Sequence, residues 1–300
     1  MVTCCHWRAV RDSHIVNGVT DVDGVLEEQL DYYRARAPEY DDWWERRGRY
    51  DRGDVHQAAW EADVTRVELA LQELGPLGSV IEFAAGTGNW TRHLASIADH
   101  VTAIDGSAET LEINQAKLAD HTNVSYVVDD VFAYEPTEQF DVVFFSFWLS
   151  HVPDSRVASF WDLVRRCLAP GGRVLILDNA HPETSMRVVD SQLEVRDVHV
   201  TTAQGEIDLS SNVESRTLVS GEEFRIVKRF WHPTDLEAEI AANGLVGSAW
   251  TTEYFFIAAE ATRCPKPDAG ERQPVLRLTE VLLALRPRLL RLPRRWAGRR

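Results

Sequence analysis

The sequence predicts an α/β protein built on a doubly wound, mostly parallel sheet, with an N-terminal helical cap and an inserted β-hairpin. Three observations predict it. From Ser79 onward, short apolar runs alternate with helical stretches of about ten residues, the rhythm of right-handed βαβ units. A loop with two glycines, Gly86 and Gly88, follows the first apolar run and opens a helix. Carboxylates fall at the ends of the first three runs, as Glu82, Asp105 and the pair Asp129–Asp130.

The elements follow in order. Residues 1–20 carry no strong period and are expected to form a flexible leader. Residues 21–75 read as the helical cap. Val64, Val67, Leu71 and Leu74 recur there at three- and four-residue steps, marking one buried face, and Gly75-Pro76 ends it. SVIEFA (79–84) is a buried strand, Trp90–Ala98 a helix, VTAID (101–105) a second strand and Ala108–Leu118 a second helix. VSYVV (124–128) and DVVFFSF (141–147) are the third and fourth strands. Val157–Leu168 is a helix stopped by Pro170-Gly171-Gly172, and RVLILD (173–178) is the fifth strand. The chain is then polar until RTLVS-GEE-FRIVKRFW (216–231), a β-hairpin. Pro233–Asn243 is a helix with Gly244 beyond its end, and GSAWTTEYFFIAAE (247–260) supplies one or two last strands. The expected domain spans 21–262, followed by a basic tail at 263–300, rich in Pro, Arg and Leu.

Composition narrows the function. With 300 residues, 44% hydrophobic and 26% charged, the chain is globular and neither collagen-like, disulfide-stapled nor wholly disordered. Cys4, Cys5, Cys167 and Cys264 have no metal-ligand spacing, which predicts a reduced, cytoplasmic protein without a metal site. No apolar run is long enough to span a membrane. The net charge is -15; the tail carries 11 basic and 3 acidic side chains, so residues 1–262 carry 21 and 44. So acidic a body repels phosphate backbones and disfavours a nucleic-acid partner. The tail is either an interfacial helix on an anionic membrane or a segment that folds back or stays disordered; Pro287 and Pro293 favour the latter. Oligomeric state is not legible.

The loop decides between cofactors. A dinucleotide site wants a third glycine for close helix packing; here that position is Thr91. Glu82 at the strand end repels a pyrophosphate but suits a cationic ligand. S-adenosylmethionine (SAM) carries a sulfonium and an ammonium group and no phosphate. Asp105 is positioned for the ribose hydroxyls, Asp129 or Asp130 for the adenine amino group, and Val131 and Phe132 for the ring face. Ala84, Gly106, Trp90 and Ser146 complete the expected cofactor contacts.

The pattern E-x-A-x-G-x-G, then Asp105, then Asp129/Asp130, resembles the class I SAM-dependent methyltransferases over roughly residues 25–260. The resemblance implies their Rossmann-like fold, SAM as methyl donor and a small-molecule acceptor. YYRARAPEYD (32–41), GTGNWTRHL (86–94), VTAIDGSAE (101–109), FWLSHVPDSR (147–156) and RTL…FRIVK (216–228) further resemble a small bacterial branch, the phosphonate O-methyltransferase of dehydrophos biosynthesis and its relatives. That likeness implies an anionic acceptor oxygen. The chain departs from the branch in its leader, its tail and Phe147, where a polar histidine is expected.

The acceptor side is read from four places. A hairpin loop Gly221-Glu222-Glu223 puts Ser220 opposite Phe224, Leu218 opposite Ile226 and Arg216 opposite Lys228. Two facing cations either clamp an acidic ligand or lie on a solvated face paired to carboxylates. His151 either orients the acceptor, acts as general base or is structural. Tyr32 and Tyr33, on the cap, touch cofactor or acceptor, or pack in the core. Tyr33 is the expected catalytic partner of His151, and Tyr32, Trp148, Arg216 and Lys228 are the expected acceptor contacts. A binding protein that keeps SAM without turnover, or methylation at nitrogen or carbon, fits the same signals.

Overall fold

The computed structural model describes residues 22–181, 195–196, 199–202, 205–208 and 212–263. The expected leader and residues 264–300 of the tail lie outside them, as do Cys4, Cys5 and Cys264. The cap comprises α1 (Val22–Arg36), α2 (Tyr40–Trp44) and α3 (Asp54–Leu74). The alternating core runs β1 (Leu77–Phe83), α4 (Thr91–Ile97), β2 (Ala98–Asp105), α5 (Ala108–Lys117), β3 (Val124–Val128), β4 (Phe140–Ser146), α6 (Asp154–Cys167) and β5 (Leu168–Asn179). After β6 (Val195–Arg196), β7 (His199–Thr202) and β8 (Gly205–Asp208) come the hairpin β9 (Val213–Thr217) and β10 (Glu223–Val227), then α7 (Pro233–Ala242), β11 (Leu245–Thr251) and β12 (Phe256–Arg263).

Seven strands form one sheet in the order β11-β12-β5-β4-β1-β2-β3. The strands β1 to β5 pair in parallel, while β12 is antiparallel to both β5 and β11. The alternation of side chains across a strand explains its two cores. Ile81, Phe83, Val143, Phe145 and Ile176 pack with α6 and α7 on one face. Val80, Val142, Phe144, Leu175 and Leu177 pack with Trp60, Val67 and Leu71 of α3 on the other. Burial on both faces is what near-continuous apolar strands require. Buried Asp63 of α3 ties the cap to the β11–β12 turn, accepting from the Thr252 hydroxyl (2.6 Å) and the backbone N–H of Tyr254 (2.9 Å) and Phe255 (2.8 Å).

Two features differ from the expectation. The polar stretch contains a small antiparallel sheet, β6-β7-β8, that no alternation of apolar residues announced. The hairpin forms in another register. Phe224 stands opposite Arg216 and Ile226 opposite Glu214, so Arg216 and Lys228 do not face each other. The Leu218 N–H donates to the Glu222 carbonyl at 2.9 Å, making Val219-Ser220-Gly221 the loop. Gly221, at φ 91°, takes its last position, which needs a left-handed residue. The two registers differ by an even number of residues, so both cations keep a common face. Lys228 stands beyond the end of β10, its N–H donating to the Asn212 carbonyl at 2.9 Å.

Candidate active site

A cavity of about 560 Å³ opens at the carboxyl ends of β1, β2 and β4 and past the end of β3. Helix α1 covers it with Leu26, Gln29, Leu30 and Tyr33. That cover is pinned on two sides. Glu28 grips Arg225 of β10, with Arg225 Nη2 donating at 2.6 Å, and Asp23 pairs with Arg156 of α6 at 3.0 Å.

Asp105 organises the inner end. It lines the cavity, and its Oδ2 accepts the Gly86 N–H at 2.8 Å while Oδ1 accepts the Ser107 N–H at 2.8 Å. One carboxylate thus joins the glycine loop to the N-terminus of α5, where Ser107 caps the helix through the Thr110 N–H (3.2 Å). Each oxygen keeps lone pairs for a ligand diol. Burial raises the Asp105 pKa above the ordinary aspartate value, and the backbone N–H groups of Ser107 and Gly86 oppose that shift. Ala84, Gly86, Gly106, Asp130, Val131, Phe132, Ser146 and Trp148 line the same cavity. Asp130 Oδ1 accepts the Phe132 N–H at 2.9 Å, and the Phe132 and Trp148 rings pack against each other at 5.3 Å, an apolar wall beside a carboxylate. Ala84 (φ 52°) and Phe147 (φ 51°) hold left-handed backbone at the tips of β1 and β4, strain that gathers at ligand sites.

Several expected contacts lie elsewhere. Glu82 is wholly buried beneath the loop and does not line the cavity. Its side chain follows the alternation of β1 inward, so it is not presented at the strand tip. Burial pushes its pKa up to about 8, with the Thr91 hydroxyl beside it lowering and Asp105 adding to that shift. Gly88 (φ 87°) does not line the cavity either; a Cβ there meets Asn114 Oδ1 at 2.5 Å, so the glycine makes room for a brace. Asn114 Nδ2 donates to Thr91 Oγ1 (2.9 Å) and to the Gly86 carbonyl (3.3 Å). Trp90 packs in the core against Trp44 and lines only a small recess next to the loop. Asp129 does not line the cavity; its N–H donates to the Asp105 carbonyl at 3.1 Å. Tyr32 packs against Leu218 and Ile226, because adjacent residues on α1 point in different directions.

Glu82 yields a pH prediction. Its folded pKa lies above the unfolded one, so its stabilising effect is complete below the ordinary glutamate pKa and lost as pH rises through about 8. Glu82→Gln is expected to gain stability over wild type between pH 6 and 9, on the order of 3 kcal/mol at the upper end. Melting curves across that range check it; parallel curves for the two proteins would refute it.

The outer wall holds His151 and Tyr33. The Val227 carbonyl, which only accepts, lies 2.6 Å from His151 Nδ1, so that nitrogen carries the proton. Nε2 then accepts from the Tyr33 hydroxyl at 2.9 Å. Burial first, then the positive Lys228, hold the His151 pKa well below the usual histidine range. Burial raises the Tyr33 pKa well above the usual phenol value. Both groups are therefore neutral near pH 7, and His151 is a weak base. Arg216 and Lys228 do not line this cavity and are each countered: Arg216 pairs with Glu214, while Lys228 donates to Ser150 Oγ (2.9 Å) and lies 3.8 Å from Asp178. Both are buried beside His151 rather than solvated.

The sequence reading missed three supports. Tyr40 lines the cavity. Asp41 accepts from Thr87 Oγ1 (2.7 Å) and Lys117 Nζ (2.7 Å), holding the loop to α2. Asn114 lies mid-helix without a motif; Tyr40 and Asp41 sit in the segment YYRARAPEYD, which carried the family likeness. Among the described residues no cluster of metal-binding side chains occurs and no helix is long and apolar enough to cross a membrane.

Residues 80–172 match the model of a methyltransferase domain. The DhpI–SAH complex superposes with a TM-score of 0.62 at 35% identity, covering 81% of this chain and 99% of that one. The DhpI–SAM–HEP complex gives 0.61 at 36% identity, over 80% and 98%. A SAM-dependent methyltransferase from Clostridium acetobutylicum shares the fold at 15% identity and a TM-score of 0.52, over 76% and 99%. A demethylmenaquinone methyltransferase of Clavibacter sepedonicus is 35% identical over 34% of this chain and 42% of its own length; one from Lactococcus lactis is 30% identical over 44% and 55%. The chain spans about half the length of these curated relatives.

Proposed function

Since this chain belongs to the class I SAM-dependent methyltransferases, we propose that it methylates an already ionised oxygen, phosphonate or carboxylate, of a small acid. One observation carries this reading. Behind the outer wall lie the buried cations Arg216 and Lys228, and the His151 imidazole and Tyr33 phenol on that wall are neutral and poorly suited to removing a proton. A phenol or alcohol needs a base with a pKa near the working pH. An ionised oxygen needs none, only charge complementarity and alignment.

The cradle fits SAM: a carboxylate with free lone pairs at Asp105, an apolar wall with Asp130 at its edge, and a glycine turn open to the cavity at Gly86. Bound there, SAM supplies an activated methyl group on a sulfonium. Asp105 would hold the diol, and the Phe132 and Trp148 rings would offer the base an apolar surface. Helix α1 excludes water over the reacting atoms. His151 keeps the Tyr33 hydroxyl aimed at the cavity, and Arg216 and Lys228 set a positive potential at the acceptor end. HEP, bound by DhpI beside SAM, fits the same arrangement of acceptor and donor.

Labelled SAM with a panel of small phosphonates, carboxylates, phenols and amines tests this. Arg216→Ala and Lys228→Ala are expected to lower kcat/KM for the acid at least about a hundredfold while SAM affinity stays within threefold. Turnover confined to phenols or amines would refute the anionic acceptor; binding of SAM with no turnover on any acceptor would point to a non-catalytic relative.

A further inference from the structure

Arg36, at the last turn of α1, belonged to none of the expected site residues. Its side chain is 6% exposed, and its Nε and Nη2 have no hydrogen-bond partner among the described residues. No carboxylate among those residues pairs with it either. It is held by rings instead: its guanidinium carbon lies 4.9 Å from the centre of Tyr40 and 5.5 Å from those of Tyr32 and Trp43. Aromatic faces fix the plane of a guanidinium and leave its N–H edge free. Tyr40 lines the cavity, so this free edge sits one ring from it.

The charges nearby make the arrangement directional. Arg36, Arg216 and Lys228 are all buried, and the fields of Arg36 and Arg216 both reach Lys228 and His151. Two carboxylates answer the three cations: Glu214 pairs with Arg216, and Asp178 lies near Lys228. Arg216 Nη1 is also buried without a partner. An excess positive charge and three unpartnered N–H-bearing nitrogens, buried behind the cavity wall, are costly unless an anion completes them.

Resting on the anionic-acceptor reading, we infer that Arg36 is an anion-binding residue that, with Arg216, grips the acidic group of the acceptor through the open edge of its guanidinium. A guanidinium fork matches two oxygens of a phosphonate or carboxylate, which an ammonium does not. Arg36 therefore sets the preference for a planar or tetrahedral oxyanion over a neutral acceptor. The cofactor's own carboxylate presents the same chemistry, and the test separates the two sources.

The probes are methylphosphonate and inorganic phosphate, titrated calorimetrically into the full-length protein saturated with S-adenosylhomocysteine (SAH); SAH affinity is measured separately. Arg36→Gln is expected to weaken methylphosphonate binding at least about thirtyfold and to leave SAH affinity within about threefold. Arg36→Lys, which keeps the charge without the fork, falls between. Ligand-free Arg36→Gln is expected to melt no lower than wild type, since an uncompensated buried charge has been removed. Unchanged methylphosphonate binding in Arg36→Gln overturns the inference, and so does a melting temperature well below wild type in that variant. An equal loss of SAH affinity assigns the fork to the donor's carboxylate and overturns it as well. A wild-type protein that binds neither probe sinks the anionic-acceptor reading itself, and this inference with it.

Discussion

Asp105→Ala is expected to lower SAH affinity about a hundredfold or more, corresponding to roughly 2.7 kcal/mol. Two losses combine. The Gly86 and Ser107 N–H groups, held at 2.8 Å by opposite oxygens of the carboxylate, lose their acceptor, so the loop and the start of α5 separate. The ligand diol also loses its partner. Asp105→Asn distinguishes the two, because its amide oxygen still accepts one backbone N–H while its NH2 meets the other as donor against donor. Asp129→Ala, outside the cavity, is the matched control and should change SAH affinity less than about threefold. Calorimetry reads all three. An Asp105→Ala protein that binds SAH like wild type would remove the centre of the cofactor site.

Gly88→Ala is expected to destabilise the protein by about 2–5 kcal/mol, from left-handed strain of about 1–2 and overpacking of about 1–3. The added methyl falls 2.7 Å from Asn114 Cγ and 2.5 Å from its Oδ1. Asn114 cannot step aside freely, since it is fully buried and holds Thr91 and Gly86. Thermal melts measure the cost, and the double variant Gly88→Ala/Asn114→Ala decides its cause. If the clash dominates, the double variant loses less than the sum of the singles. Strict additivity would leave backbone strain as the whole explanation.

These two residues mark what different levels of the chain determined. The apolar runs of β1 and β4, the helical spacing of α3 and α6 and the stops at Gly75-Pro76 and Gly244 are local signals, so the sheet, its helices and their order follow from the sequence alone. So do the cavity's position and its lining by Gly86, Asp105, Asp130 and Phe132, because a strand tip projects whatever comes next. Side-chain direction at a buried position is another matter. Gly88 shares the motif with Gly86, yet packing of α5 against the loop turns it to structural work, and only the fold reveals Asn114 as the reason, while the alternation of β1 carries Glu82 into the core. The hairpin register depended on which residue of the turn took the left-handed position, a contest between neighbouring loops that composition leaves undecided. Arg36 carries no motif at all. Its meaning comes from three rings, two distant cations and a missing carboxylate, which the chain brings together only once α1 lies across the sheet.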